Sequence, residues 1–100
     1  MARPILYSFF TYLQRERCRI IKIGEAVRLR ILELCQEKGI SINALCIESG
    51  VTQSTVNNII SRRNNSMTIS TIKKLCDGLG ISIQDFFNAD VFLNLEQEIK

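Results

Sequence analysis

The most constraining feature of this chain is the stretch 41–63, which predicts two short helices joined by a tight turn. The first helix is expected over about 42–49 and the second over about 53–61, with Gly50 at the bend. Glycine suits this bend because helices that cross at roughly 90–120° over a short turn need a residue that tolerates positive φ. Thr52 is expected to cap the second helix by accepting a backbone hydrogen bond. The residues predicted to face inward are Leu45, Cys46, Val51, Val56 and Ile59.

The outward face of the second helix is polar, and two arginines follow it at once. Its side chains are those of Gln53, Ser54, Asn57 and Asn58, followed by Arg62 and Arg63. Amides can bond two atoms of a base edge and guanidinium groups suit phosphate, so this pattern fits a helix laid in the major groove of DNA. Short polar residues on an exposed helix face are also common as ordinary surface, which is the alternative interpretation for each of them.

The order of five predicted helices resembles the helix-turn-helix domain of the phage repressor, Cro-like and xenobiotic-response-element (XRE) family. The resemblance is carried by LELCQEKGISINALCIESGVTQSTVNNIISRR, followed by ISTIKKLCDGLGISIQDFF, and covers roughly residues 23–87. It implies an all-α fold, a compact five-helix bundle of the lambda repressor-like DNA-binding type. Because some relatives use the same bundle mainly to bind protein, the alternative is a protein-interaction module such as the antitoxin of a toxin–antitoxin pair.

The match to the family pattern also implies which residues contact DNA. Those expected to contact bases are Thr52, Gln53, Ser54, Asn57 and Asn58. Those expected to contact phosphates are Ser41, Ser61, Arg62, Arg63 and Asn64. Many relatives have glutamine where this chain has Ile42 and a helix-ending glycine where it has Arg62. We therefore expect one phosphate contact to be lost, and Asn64 or Asn65 to supply the left-handed residue.

The distribution of charge favours a nucleic-acid partner more than the net charge of +3 does. Residues 41–74 contain four basic residues but only one acidic residue, Glu48. A basic surface around the motif is what a phosphate footprint requires, although an ordinary solvated surface is the alternative. The charge distribution therefore favours double-stranded DNA as the partner. The family resemblance, and not the charge, implies that the protein is a homodimeric transcriptional repressor.

Several classes of function are disfavoured by residues that the sequence lacks. There is no histidine, no phosphate-binding loop and no nucleophile beside a base, so we expect no catalytic site and no small-molecule substrate. The four cysteines, Cys18, Cys35, Cys46 and Cys76, lack metal-site spacing, so no metal and no cofactor is expected. We expect all four to be reduced in a cytoplasmic protein, with a redox switch at Cys18 as the alternative. The apolar run 5–13 is too short to span a membrane.

The chain divides into three predicted parts. Residues 1–22 form an N-terminal extension that is disordered, packs on the bundle or a second subunit, or reaches DNA as an arm. Residues 23–88 form the helix-turn-helix domain. Residues 89–100 form a closing helix or a dimerisation segment.

Apolar spacing predicts which helix faces are buried. Ile23, Val27, Ile31 and Leu34 form one stripe on the first helix, with Leu29 and Leu32 in a second, smaller patch. The run 5–13 is the nearest candidate to cover that patch. Thr68 and Ser82 are expected to cap the fourth and fifth helices, and Phe86 and Phe87 to make core or dimer contacts. The fourth helix is expected to bury Ile69, Ile72, Leu75 and Cys76.

Overall fold

The computed structural model of the protein describes residues 20–99, and all statements about the fold concern that range. The predictions for the run 5–13 and for Cys18 lie outside it. The described helices are α1 (Ile23–Lys38), α2 (Ile42–Ser49), α3 (Gln53–Ile60), α4 (Ile69–Leu79) and α5 (Ile83–Phe87). A short 3-10 helix, Asp90–Phe92, follows, and Ile21 pairs with Leu95 in an isolated parallel β-bridge. The predicted all-α class is confirmed.

Three of the helices begin at hydroxyl caps. The side-chain oxygens of Ser41, Thr68 and Ser82 accept hydrogen bonds from the N–H groups three residues later, at 3.0, 3.2 and 3.0 Å. Each bond satisfies a backbone donor that a helix start would otherwise leave unpaired. The predicted caps at Thr68 and Ser82 are confirmed, and the helix boundaries follow from these local contacts.

The main core lies between α1 and the other four helices. The predicted α1 stripe is confirmed, because Val27, Ile31 and Leu34 are buried and Ile23 packs against them. On α4 the buried residues are Ile72, Leu75, Cys76 and Leu79. The prediction that Ile69 faces inward was wrong: it is 66% exposed, because it occupies the first position of α4, beside an exposed loop.

The helices α2 and α4 approach each other closely at Gly78. A Cβ atom placed on Gly78 would lie 2.2 Å from Ser49 Oγ and 3.1 Å from Ser49 Cα. Only a residue without a side chain fits that contact. The absence of a Cβ therefore allows α4 to approach the first helix of the turn motif this closely.

A second cluster lies on the other side of α1, where Ala26 and Leu29 are buried together with Val91. The C-terminal segment therefore covers Leu29, a contact that was not predicted from the sequence. Residues 90–92 close this patch as a single 3-10 turn. The bridge between Ile21 and Leu95 holds the same segment next to the start of α1.

Arg30 is the one buried charged residue among residues 20–99. Its Nε donates to the main-chain oxygen of Phe86 at 2.6 Å, and its Nη2 donates to that of Asp85 at 2.7 Å. Its Nη1 donates to Glu33 Oε1 at 2.7 Å. These bonds attach the last turn of α5 to α1, a role that nothing in the spacing of Arg30 had indicated.

The aromatic residues at the end of α5 belong to the core, as predicted. Phe86 is completely buried, and its ring centroid lies 5.0 Å from that of Phe87 in an edge-to-face arrangement. The ring of Phe92 lies 4.9 Å from that of Phe87. The three rings join α5 to the 3-10 helix by apolar contact.

The described cysteines are structural. Cys35, Cys46 and Cys76 are buried free thiols, and burial raises the pKa of each. They therefore remain protonated at neutral pH and pack as small apolar groups. No three potential metal ligands of residues 20–99 come together as a metal site requires. None of the helices in this range is long and apolar enough to cross a bilayer.

Candidate nucleic-acid interface

The helix pair predicted from residues 41–63 is present, with α2 at the predicted bounds and α3 ending one residue earlier than expected. Gly50 adopts φ +69° at the bend, and the Val51 N–H bonds to the Cys46 oxygen at 3.1 Å. Leu45, Cys46, Val56 and Ile59 are all at most 2% exposed, and Val51 is half-buried. These residues hold α3 against α2 by its apolar face.

The opposite face of α3 is polar and open to solvent. Gln53, Ser54 and Asn57 are exposed, and Asn58 is half-buried. Because Val56 and Ile59 anchor the helix from behind, these polar side chains project away from the core. Four of the five base-contact candidates thus share the outer side of α3, and the fifth, Thr52, is exposed just before its first residue.

The expected side-chain cap of α3 by Thr52 was wrong. Thr52 Oγ1 instead lies 2.8 Å from Thr55 Oγ1, so the two hydroxyls bond each other. The Thr55 N–H is satisfied by the main-chain oxygen of Thr52 at 3.2 Å. Thr55 is exposed in the first turn of α3, beside the candidates, and was not among the residues predicted to contact DNA. The sequence did contain one sign of this bond, because Thr55 places a second hydroxyl three residues after the cap position.

The loop after α3 turns at Arg62, which has φ +66°. The prediction that Asn64 or Asn65 would supply the left-handed residue was wrong. The Arg62 N–H bonds to the Ile59 oxygen at 3.1 Å, and the Asn64 N–H bonds to the Asn58 oxygen at 3.0 Å. These two bonds close the end of the helix and require the turn to come directly after Ser61.

The carboxylate of Glu25, to which no motif in the sequence pointed, holds this loop. Arg62 donates from Nε and Nη2 to the two carboxylate oxygens, both at 3.2 Å. Arg28 donates to the same oxygens at 3.2 and 3.1 Å. Burial raises the pKa of Glu25, but the hydrogen bonds and positive charges of Arg28 and Arg62 outweigh it and leave the pKa below its ordinary value of 4.5. Glu25 is therefore ionised at neutral pH.

The main chain of the loop also rests directly on the first turn of α1. A Cβ atom on Gly24 would lie 2.2 Å from the main-chain oxygen of Asn65. Gly24 is buried, and Glu25 beside it makes the ion pair with Arg62. The start of α1 therefore positions the loop through one main-chain contact and one ion pair.

The other phosphate candidates are exposed, at the start of α2 and in the segment that follows α3. Arg63 Nη1 lies 3.4 Å from Asn58 Oδ1, and Asn64 Oδ1 accepts from the Ser66 N–H at 3.3 Å. Ser61 ends α3 and Ser41 caps α2, and both are exposed.

The charge count over residues 41–74 overstated the positive surface. Two of its four basic residues pair with acids outside that range: Arg62 with Glu25 and Lys73 with Asp77. Part of the predicted positive potential is therefore compensated within the molecule.

These features are shared with proteins of known class. A sequence profile of the Cro/C1-type helix-turn-helix DNA-binding domain matches residues 30–90. The chain belongs to this family. The chain is also similar to the protein in the crystal structure of the prophage Lp1 protein 11, with 38% identity and a TM-score of 0.64. That similarity covers 70% of this chain and 92% of the other. No curated protein matches significantly.

Membership of the Cro/C1-type family makes the chain a helix-turn-helix protein of the DNA-binding class, with α2 and α3 as its motif. The matched range contains both motif helices, the loop after α3 and every candidate contact residue. Gly24 and Glu25 precede that range. The support that α1 gives to the loop is thus built partly from residues outside the Cro/C1-type match.

Proposed function

We propose that this Cro/C1-type protein is a sequence-specific transcriptional regulator of the cytoplasm, acting as a homodimeric repressor. The observation that carries the proposal is the polar outer face of α3, held outward by the buried residues Val56 and Ile59. A helix of this kind can enter the major groove while the rest of the bundle stays outside it. The function consists of binding and includes no catalytic step.

The base contacts are assigned to Thr52, Gln53, Ser54, Asn57 and Asn58. Glutamine and asparagine can bond the N6 and N7 atoms of adenine together, and each such pair gives roughly 1–3 kcal/mol of discrimination. The half-buried position of Asn58 and its bond from Arg63 support the assignment, because a side chain with restricted rotamers reads a base with less loss of entropy.

The phosphate contacts are assigned to Ser41, Ser61, Arg62, Arg63 and Asn64. The backbone N–H groups at the start of α2 add a second means of binding an anion. In a homodimer, two copies of α3 would enter half-sites about one helical turn, roughly 34 Å, apart on a near-palindromic operator.

The test is selection of bound duplexes from a random DNA pool near physiological salt. Wild type is compared with Gln53→Ala/Asn58→Ala and with the control Gln36→Ala/Gln84→Ala, which removes two exposed amides from other helices. We expect wild type and the control to enrich the same near-palindrome and the α3 variant to lose or relax it. An identical motif from the α3 variant would overturn the base assignment.

The second candidate is a protein-interaction module, for which the exposed apolar side chains supply a specific observation. Ile47 is 76% exposed, and Leu93 is 73% exposed. Phe86, in contrast, is completely buried, so a substitution there would disturb the fold and would not test a partner surface. No enriched duplex from wild type, together with partner binding that Ile47→Ser or Leu93→Ser abolishes, would favour this candidate.

A further inference from the structure

We propose that Glu25 competes with DNA phosphate for Arg62 and so limits the affinity of the protein for DNA of any sequence. This inference rests on the proposed function, in which Arg62 is a phosphate contact. Its basis is that Glu25 binds Arg62 through both carboxylate oxygens, directly beside the end of the helix assigned to base contacts.

The competition follows from the atoms involved. Glu25 occupies the edge of the guanidinium formed by Nε and Nη2. That edge presents two parallel N–H donors, which is the geometry in which arginine binds either a carboxylate or a phosphate. A phosphate that approaches this edge must therefore displace the carboxylate of Glu25.

The two arginines on Glu25 differ in their access to solvent. The side chain of Arg28 is 14% exposed, whereas that of Arg62 is 61% exposed. Arg28 belongs to the same helix as Glu25 and keeps the carboxylate in place from the protein side. Arg62 is on the outer side of the carboxylate and is the partner that can be exchanged for an external anion.

The surroundings leave room for that exchange. Glu25 and Arg62 line an open cavity of about 260 Å³, together with Asn64 and Asn65. Lys22 and Glu96 also contribute to its wall. The loop backbone is fixed independently by the contact of Asn65 with Gly24, so the side chain of Arg62 can change partner without moving α3.

The consequence is a measurable dependence on salt. Each phosphate neutralised by a protein cation adds about 0.9 to the slope of log affinity against log salt. While Arg62 is compensated by Glu25, it contributes little to this slope on non-specific DNA. Removing the charge of Glu25 should add up to one phosphate contact, equivalent at most to a roughly three- to fourfold greater loss of affinity between 50 and 200 mM salt.

The experiment measures the affinity of the full chain for a 20-base-pair duplex of random sequence over that salt range. The variants are Glu25→Gln, Arg62→Gln and the double variant. Asp77→Asn is the matched control. It also removes a carboxylate from an ion pair, but the partner it releases, Lys73, is not among the residues assigned to phosphate contact. Urea denaturation of each variant establishes that the fold is retained.

We expect Glu25→Gln to bind more tightly at low salt and to steepen the slope by up to about 0.9. In the Arg62→Gln background the same substitution should leave the slope unchanged, as should Asp77→Asn alone. An unchanged or shallower slope for Glu25→Gln, or equal steepening without Arg62, would overturn the proposal.

Failure of the proposed function gives a different result. If wild type binds no duplex even at 20 mM salt, the proposed function of DNA binding is overturned. Duplex binding gained by Glu25→Gln under the same conditions, and lost again in the double variant, would still support competition at Arg62. No gain would overturn it.

Discussion

The Nε of Arg30 lies 2.6 Å from the main-chain oxygen of Phe86, so a buried guanidinium joins the first described helix to the fifth. The helix α5 has only five residues, so the carbonyl groups of its last turn lack i+4 partners within the helix, and the Asp85 oxygen accepts a bond of 3.3 Å from the N–H of Asn88 just beyond it. Arg30 supplies donors to two of these groups and places its positive charge at the negative end of the helix. The position of Phe86 in the core therefore depends on a polar contact as well as on apolar packing.

Replacing Arg30 with methionine should destabilise the protein by roughly 2–4 kcal/mol. Methionine keeps the apolar stem, but the oxygens of Asp85 and Phe86 lose a donor and the half-buried Glu33 loses its partner. Urea denaturation followed by circular dichroism measures the change. Lys73→Met serves as the control, because its ion pair with Asp77 is exposed, and it should leave the midpoint almost unchanged. Equal midpoints for the two variants would contradict the role given to Arg30.

Gly78→Ala should destabilise the protein by roughly 1–3 kcal/mol, although alanine is the better helix former. The added Cβ would lie 2.2 Å from Ser49 Oγ and 3.1 Å from Ser49 Cα, so the Ser49 hydroxyl must move or α2 and α4 must separate. Ser49→Ala alone should be neutral or slightly stabilising, since Ser49 Oγ is buried and has no partner within residues 20–99. The double variant Gly78→Ala/Ser49→Ala should regain part of the stability that Gly78→Ala loses, as measured by thermal unfolding. No recovery would show that the helix backbones, and not the hydroxyl, determine the spacing.

The ion pairs of Glu25 should give the stability a defined pH dependence. The folded pKa of Glu25 lies below 4.5, so its contribution is fully present above that pH and is lost as the pH falls through the folded pKa. At pH 7, Glu25→Gln should be less stable than wild type by on the order of 1 kcal/mol. The difference should shrink steadily below pH 4.5 in urea titrations. A difference that stays constant down to pH 2 would mean that the charge of Glu25 does not contribute.

Val91→Ala should lower the free energy of unfolding by roughly 1–2 kcal/mol. Val91 is 7% exposed and covers Leu29 on the outer side of α1. Leu93→Ala removes a larger side chain two residues later, but Leu93 is 73% exposed, so its midpoint should hardly change. Guanidinium denaturation of both variants makes the comparison. Similar losses would indicate that Leu93 is covered in solution by a further contact, such as a second subunit.

The features that were predicted correctly from the sequence depend on neighbouring residues. The bounds of α2, the caps at Thr68 and Ser82 and the left-handed Gly50 each follow from residues within one helical turn. The apolar stripe on α1 could also be predicted from the sequence, because apolar residues spaced three and four apart lie on one face of a helix. The base and phosphate contacts remain predictions, as do the three-part division of the chain and the dimer.

The features that were missed depend on partners far away in the sequence. Arg30 binds residues 55 and 56 positions later, and Glu25 binds Arg62 across 37 positions. The spacing of residues near Arg30 and Glu25 in the sequence gives no sign of these distant partners. The cap prediction for Thr52 failed for a local reason. The Thr52 hydroxyl bonds the Thr55 hydroxyl three residues later and not the backbone N–H that it was expected to cap. Neither the long-range contacts of Arg30 and Glu25 nor the bond between the two hydroxyls can be predicted from a periodic pattern in the sequence.

The left-handed backbone of Arg62 restricts how this interface can evolve. Any side chain other than glycine pays about 1 kcal/mol of strain at φ +66°, and here that strain coincides with an ion pair that only a basic residue can make. A change to glycine would relax the backbone but leave the carboxylate of Glu25 with one cation fewer. Positions 25 and 62 are therefore expected to change together among descendants of this chain, either as an acid with an arginine or as a neutral residue with a glycine.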